Sequence, residues 1–428
     1  MLLSLFPLGI FALPFISASQ LTTARLSKVY NVMNAISYQP WENGTKAQAI
    51  LEYNYSSLSV FSADKLLPLP NPFPTSQIPG IVSIAQTTLQ NRPKTNTSAA
   101  AQGGSPLLTD ASAGDPASLG IAILLANAST GNAQVDGVGY GDAAAAELDY
   151  LLYDVPRSSA GAISHRTDEV QLWSDFVYMV PPFLAYYGAL TSNQTLLQMA
   201  YTQCSLYRDA LVQSSGLWTH IALGTGAADP GVWATGNAWA AAGMLRVLAT
   251  IQQSSFDGMM GSQKQDLQTW AENILGASEG YITQDGLLRN YITDNTSFEE
   301  TSGSALIAAS GFRLSTLNLT SQYVNMSTTL LSAVSSRVNS TGYLTQVVDP
   351  DDFINMGSQS PEGQSFVILA YAAYNEWVAL GRQGEKGSNP LGPSSTAERR
   401  SRVGSMGLLG VDIVSALTLM FGVVLAMY

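Results

Sequence analysis

The feature that most constrains the fold is a succession of helical patterns that runs from about residue 20 to residue 380. Apolar side chains recur every three or four residues in segments such as 194–212, 236–252 and 361–380. No regular alternation of strand and helix accompanies them, which argues against a parallel α/β sheet. The candidate helices lie near 24–37, 45–63, 75–92, 116–128, 140–153, 172–189, 194–212, 236–252, 262–276, 302–314, 320–338 and 361–380.

Twelve helices without a break in composition predict one all-α domain. Twelve is also the helix count of an (α/α)6 toroid, in which six helical hairpins surround a central cavity; short loops would make neighbouring helices antiparallel. Two helix starts are marked by a capping residue followed by proline, Asp115-Pro116 and Ser360-Pro361. Short segments at 281–282 and 343–344 could be small strands.

The chain also carries signals at both ends. Residues 2–18 form an apolar run that ends in small residues, which predicts a signal peptide over 1–19. Residues 406–428 form an apolar tail, preceded by basic residues and by small residues around Ser394 and Ser395. This order is typical of a GPI attachment signal, with a single membrane span as the alternative.

These signals divide the chain into four segments. We expect a signal peptide over 1–19, the helical domain over 20–380, a polar stalk with the anchor site over 381–397 and the C-terminal signal or membrane tail over 398–428. The protein would then enter the secretory pathway and stay at the cell surface or cell wall, and we expect it to be an anchored monomer. Nine Asn-x-Ser/Thr sequons predict N-linked glycans at Asn43, Asn54, Asn96, Asn127, Asn193, Asn295, Asn318, Asn325 and Asn339.

Charge and composition exclude several kinds of chemistry. With 19 basic against 31 acidic residues the formal net charge is −12, which argues against nucleic acid as a partner. The single cysteine, Cys204, sits on an apolar helical stripe and is expected in the core. With only His165 and His220 besides, we expect neither a metal site nor a cofactor, and any catalysis must depend on carboxylates.

Two segments carry a resemblance to known enzymes. Residues 173–184, WSDFVYMVPPFL, are similar to the W-x-D-x-x-x-M-x-x-P-F-L signature of unsaturated glucuronyl and rhamnogalacturonyl hydrolases, glycoside hydrolase families 88 and 105. Residues 233–239, WATGNAW, resemble their W-x-R-G-N-x-W motif, with Thr235 where the family commonly has arginine. Further matches stand at 115–120, 300–303 and 360–363, in the family's order. The chain thus looks like a secreted, anchored member of fungal type.

The resemblance implies a six-hairpin fold and a hydration reaction on an oligosaccharide. Family members act on sugars that carry a C4–C5 double bond in a terminal uronic acid, such as fragments of pectin. In the implied mechanism Asp175 protonates C4, water adds at C5, and the product collapses to break the glycosidic link. Asp115 corresponds to a second carboxylate of the family. Implied substrate contacts are His220, Trp173, Trp233, Thr235, Asn237 and Trp239.

Purely structural roles remain open for several of these residues. Asp115 before Pro116 is also what a simple helix cap looks like. The tryptophans are more often core than ligand face. Glu300 and Glu362 are expected to cap helices or support the site. Arg166 and Arg246 are candidates to hold a uronate only because they lie near the motifs.

Two other functions stay open at this point. One is a different six-hairpin enzyme, an endo-mannanase-like hydrolase with two carboxylates in ordinary acid/base or nucleophilic roles. Such enzymes usually show adjacent aspartates on a helix, whereas Asp351-Asp352 is expected in a loop. The other is a non-catalytic carbohydrate-binding wall protein, which the threonine at 235 makes conceivable.

Overall fold

The computed structural model describes residues 20–69, 73, 78–93, 103–226, 228–382 and 384. Within these ranges twelve helices have ten or more residues, and α4 and α7 have four, so the all-α prediction is confirmed. The predicted signal peptide, the C-terminal signal, most of the stalk and Asn96 lie outside the described residues. The helices are α1 Thr23–Ile36, α2 Pro40–Asn54, α3 Pro79–Gln90, α4 Gly114–Ala117, α5 Gly120–Thr130, α6 Tyr140–Asp149, α7 Phe176–Met179, α8 Pro181–Leu190, α9 Gln194–Leu211, α10 Ala234–Gln253, α11 Gly261–Glu279, α12 Thr301–Thr316, α13 Val324–Ser336 and α14 Pro361–Ala379.

The long helices form two concentric rings. Helices α2, α5, α8, α10, α12 and α14 each pack against the next, and α14 returns to α2 and closes the inner ring. Helices α1, α3, α6, α9, α11 and α13 lie outside it and pack on the inner helices. This is the predicted (α/α)6 toroid.

Side-chain size and polarity decide which helices are inner. In α10, 19 of 20 residues are buried, and most are small or apolar. In α11, its outer neighbour, only five of 19 are buried, and they share one face. Small residues let inner helices approach closely: a Cβ at Gly303 of α12 would lie 2.7 Å from the backbone of α10. An inner helix is therefore buried on all sides, and an outer helix on one.

Among the described residues, four two-stranded antiparallel sheets supplement the helices. Three of them contribute strands directly before inner-ring segments, so they surround one end of the ring. The helix predicted over 172–189 was wrong at its start, because residues 171–173 pair with 221–223 and Pro181-Pro182 begins a new helix. The strand predicted at 281–282 was also wrong, and of 343–344 only Leu344 forms an isolated antiparallel bridge, with Val338. The strands are β1 Gln134–Val135 with β2 Val138–Gly139, β3 Gln171–Trp173 with β4 Ile221–Leu223, β5 Leu288–Arg289 with β6 Glu299–Glu300, and β7 Val347–Asp349 with β8 Asp352–Gly357.

A buried ionic cluster lies inside the ring, away from the strands. Glu52, Arg246 and Arg313 each stand twelve residues after the first residue of α2, α10 and α12, about 18 Å along each helix. Glu52 accepts hydrogen bonds from both arginines, from Arg313 at 2.8 Å, and Arg313 also pairs with Glu376. The Phe61 ring lies 5.4 and 4.4 Å from the two guanidinium carbons. Arg246 is thus held by Glu52 and does not serve as a uronate ligand.

Cys204 is buried in the core, as predicted. In the described ranges, no helix is long and apolar enough to cross a membrane.

Candidate active site

The candidate site lies where the inner helices begin and is centred on Asp175. Asp175 follows β3 and directly precedes α7, and its side chain is 13% exposed. Its Oδ2 lies 3.5 Å from Nε2 of His220, which is fully buried. On the other side of the imidazole ring, Nδ1 lies 2.8 Å from Oδ2 of Asp229. The structure therefore lines up carboxylate, imidazole and carboxylate.

Asp229 is held in its ionised form. Burial alone would raise its pKa, but hydrogen bonds from His220, from the Tyr291 hydroxyl at 2.7 Å and from the Gly231 amide at 2.9 Å lower it to about 2. Burial alone would lower the pKa of His220. The interactions of the imidazole with Asp175 and Asp229 outweigh burial, so the pKa of His220 is raised overall. His220 can thus hold a proton between two carboxylates.

Aromatic rings surround this imidazole. The Trp233 ring lies 4.5 Å from it, and the Trp173 ring meets it edge-on at 5.5 Å. Phe353 of β8 stands perpendicular to it at 4.7 Å and contacts both tryptophans. Asn290 accepts a hydrogen bond from the Trp233 indole at 2.9 Å and donates one to the Phe353 carbonyl at 2.7 Å. The aromatic walls are therefore fixed by hydrogen bonds as well as by packing.

Asp115 reaches the same region from α4. It does not cap a helix; Ser112 Oγ accepts from the Gly114 and Asp115 amides instead, at 3.1 and 3.0 Å. Burial, helped by the negative charges of Asp110 and Asp175, raises the pKa of Asp115 to about 8. His165 Nε2 lies 3.9 Å from Asp115 Oδ1, and its ring stacks on Trp173 at 4.8 Å. Burial lowers the pKa of His165 to about 4, so this imidazole is neutral at pH 7.

The remaining predicted contacts belong to the framework. Asn237 bonds the backbone of Trp218 and Trp233 and is fully buried. Trp239 is 2% exposed and packs on Tyr178 and Phe366. Direct substrate contacts by these two residues stay a prediction. Glu300 caps α12 through the amides of residues 302 and 303, as predicted.

The positive charge of Arg166 acts on the candidate site through Asp115. Arg166 pairs with Asp168 at 3.1 Å, and its positive charge slightly opposes the raised pKa of Asp115. No group of three or more His, Cys, Asp or Glu side chains in the described part of the chain is arranged to hold a metal ion.

Sequence reasoning missed Asp229, Tyr291 and Phe353. A turn that includes Leu223 at φ 66° and Gly224 at φ 84° brings Asp229 back to His220, and a left-handed leucine leaves no recognisable sequence pattern. Phe353 follows Asp351-Asp352 in a hairpin, and only the fold shows that this hairpin reaches the tryptophans. The Asp229-Pro230 pair offered a turn signal but no indication of its partner.

Thr235 provides a first prediction. It is fully buried, and its hydroxyl has no hydrogen-bond partner in the described structure. Replacing it by Val removes an unsatisfied buried group, so we expect Thr235→Val to leave the free energy of unfolding unchanged or raise it by about 1 kcal/mol. Urea denaturation measures this change. A loss of stability would show that the hydroxyl has a partner, and an intact fold with lower activity would place Thr235 in contact with substrate.

The fold and the carboxylate–histidine site define a six-hairpin glycoside hydrolase. The chain belongs to Glycosyl Hydrolase Family 88, whose family model matches residues 129–359. This match includes Trp173, Asp175, His220 and Trp233, whereas Asp115 precedes it. A search of curated protein sequences finds no match.

Solved structures agree with this fold. A possible member of family GH105 from Salmonella enterica is similar over 82% of this chain and 92% of that chain, with a TM-score of 0.64 and 15% identity. A possible GH105 member from Klebsiella pneumoniae is similar over 87% and 99%, with a TM-score of 0.64 and 16% identity. An unsaturated glucuronyl hydrolase from Bacillus sp. GL1, responsible for degradation of glycosaminoglycan, gives 81% and 93%, with a TM-score of 0.51 and 15% identity.

Proposed function

We propose that this glycoside hydrolase removes an unsaturated uronic acid from the end of oligosaccharides released by polysaccharide lyases. The observation that carries the proposal is the line of Asp175, His220 and Asp229 between two tryptophans. We further propose that it acts outside the cell, anchored at the cell surface or wall and coated with N-linked glycans.

In the proposed reaction the Asp175 carboxyl donates its proton to C4 of the double bond. The hydroxide part of a water molecule bonds to C5, and the proton from that water returns to the carboxylate. The hemiketal formed at C5 then opens, leaving a ketone at C5 and a hemiacetal at C1 that releases the remaining sugar. His220, held by ionised Asp229, is placed to keep a proton close to Asp175.

Two features support binding of an anionic sugar despite the acidic chain. Asp115 is neutral below pH 8, so it can donate a hydrogen bond to the sugar and adds no negative charge beside Asp175. The inner helices also begin at this end, and each N-terminus carries a partial positive charge of about half a unit. Trp173 is partly exposed and supplies a stacking surface for a sugar ring, whereas Trp233, 3% exposed, packs behind His220.

Deuterium incorporation tests the proposal. In D2O, hydration of the double bond puts deuterium at C4 of the product, and ultraviolet absorbance of the double bond is lost. Ordinary hydrolysis of the glycosidic link leaves C4 without deuterium and the double bond intact. A protein that cleaves saturated disaccharides as fast as unsaturated ones would contradict the proposal and favour the endo-mannanase-like alternative.

The pH dependence of activity should report on Asp115. Its pKa of about 8 means that it is protonated at neutral pH and ionises above pH 8. Ionisation of Asp115 puts a negative charge beside Asp175 and repels a uronate, so we expect kcat/KM to fall above pH 8. In Asp115→Asn this alkaline decline should be absent, although the overall rate is lower. An unchanged alkaline decline in that variant would assign it to another group.

A further inference from the structure

A cavity with both polar and apolar walls lies outside the candidate active site. It has a volume of about 450 Å³, within the range of about 300–1,000 Å³ of small-ligand pockets. It opens between α2, α3 and the chain that leads into α5, and none of its lining residues belongs to the aromatic and carboxylate cluster around Asp175. Its polar lining includes Tyr38, Asn43, Lys46, Ser83, Thr87 and Asn91.

Lys46 is the unusual member of this lining. Lys46 as a whole is 8% exposed, and its ammonium group has no hydrogen bond or ion pair with any residue that the structure describes. The carboxylate that acts on its charge, Glu42, accepts hydrogen bonds from the amides of Tyr38 and Gln39, at 2.6 and 2.8 Å. Burial of the Lys46 side chain disfavours its charged form and lowers its pKa. An anion in the cavity would stabilise the charged form.

The other walls favour a sugar over a bare ion. Tyr38 contributes to the cavity and is 74% exposed, so its ring is available as a stacking surface. The lining combines hydroxyl and amide groups of α2 and α3 with the apolar side chains of Ile84, Leu108 and Leu119. A sugar ring likewise combines hydroxyl groups with apolar C–H faces.

We propose that this cavity is a second carbohydrate site, which binds a carboxylate-bearing sugar residue through Lys46 and Tyr38. The ligand carboxylate pairs with the ammonium group, and the ring stacks on the tyrosine. This site is separate from the proposed catalytic reaction and does not depend on it.

A label on the lysine itself separates this site from the active site. Reductive methylation with ¹³C-formaldehyde gives each lysine a ¹³C-dimethylamino signal in NMR spectra, and Lys46→Met identifies the Lys46 signal by its loss. In the full protein we expect sodium glucuronate to shift this signal in a saturable manner, and glucose not to shift it. No shift with glucuronate overturns the proposal. An equal shift with inorganic phosphate at the same concentration also overturns it, because the cavity would then be a simple anion site.

Variants of the exposed tyrosine provide a test that does not risk the fold. Tyr38→Ala should weaken the glucuronate-dependent shift of Lys46 at least fivefold in apparent dissociation constant. Tyr153→Ala, at a tyrosine that is 67% exposed elsewhere, should leave it unchanged. Equal effects of the two substitutions would contradict a stacking role for Tyr38.

The sequon at Asn43 offers an independent check. Asn43 Nδ2 donates to the carbonyls of Tyr38 and Gln39, both at 3.0 Å, and the residue lines the cavity. A glycan on this nitrogen would occupy the proposed site, so, against the expectation from the sequon alone, the proposal predicts that Asn43 is unmodified in the secreted protein. Peptide mass spectrometry that finds full glycosylation at Asn43 would overturn the proposal.

Discussion

Asp175→Asn is expected to lower kcat on an unsaturated disaccharide by about 10²–10⁴-fold, the usual contribution of a positioned general acid. An amide keeps the shape of the side chain beside His220 but cannot deliver a proton to C4. Because Asp175 is partly exposed and caps no helix by its side chain, the fold should survive. Loss of double-bond absorbance measures the rate, and a thermal melt verifies folding.

Asp209→Asn is the matched control for this variant. Asp209 is 63% exposed and pairs with its neighbour Arg208 on the surface of the outer ring. The same chemical change there should leave kcat within a factor of two. If Asp175→Asn retains more than a tenth of the wild-type rate, the proton donor is another group, and Asp115 becomes the first candidate because its raised pKa keeps it protonated at pH 7.

Glu52→Gln should cause the largest loss of stability, about 3–5 kcal/mol in the free energy of unfolding. The Glu52 side chain is 2% exposed and neutralises two buried guanidinium groups. With an uncharged amide at position 52, Arg246 keeps only neutral partners, of which Gln48 lies at 3.0 Å. Urea denaturation followed by circular dichroism measures the loss.

Asp285→Asn removes a surface ion pair for comparison. Asp285 is 62% exposed and lies 3.1 Å from Arg337, so its loss should cost less than about 1 kcal/mol. A similarly small loss in Glu52→Gln would mean that the cluster inside the ring is hydrated or compensated by Glu376. The difference between the two variants in free energy of unfolding therefore reports how far the ionic cluster in the ring is shielded from water.

The helices were predictable because each long one keeps a continuous apolar pattern, and even α10, buried almost all round, is rich in good helix formers. The strand at the start of the 172–189 segment could not be predicted, because the pairing of Trp173 with Ile221 depends on residues far along the chain. Of the candidate site, Asp175 and His220 were found through sequence motifs. Asp229 and Phe353 depend on how loops fold back over the ring, which no local pattern encodes.

Closure of the ring between its first and last helices has a consequence for how the chain is made. Helix α14 packs on α1 and α2, and the Tyr371 hydroxyl accepts a hydrogen bond from the Leu21 amide at 2.6 Å across 350 residues. The apolar faces of α1 and α2 therefore stay exposed until synthesis has passed residue 379 and α14 can pack on them. Exposed apolar surface of this kind makes the nascent chain a substrate for chaperones. The same adjacency of residues 21 and 371 means that a circular permutant, joined near these ends and opened in a surface loop, can form the same ring.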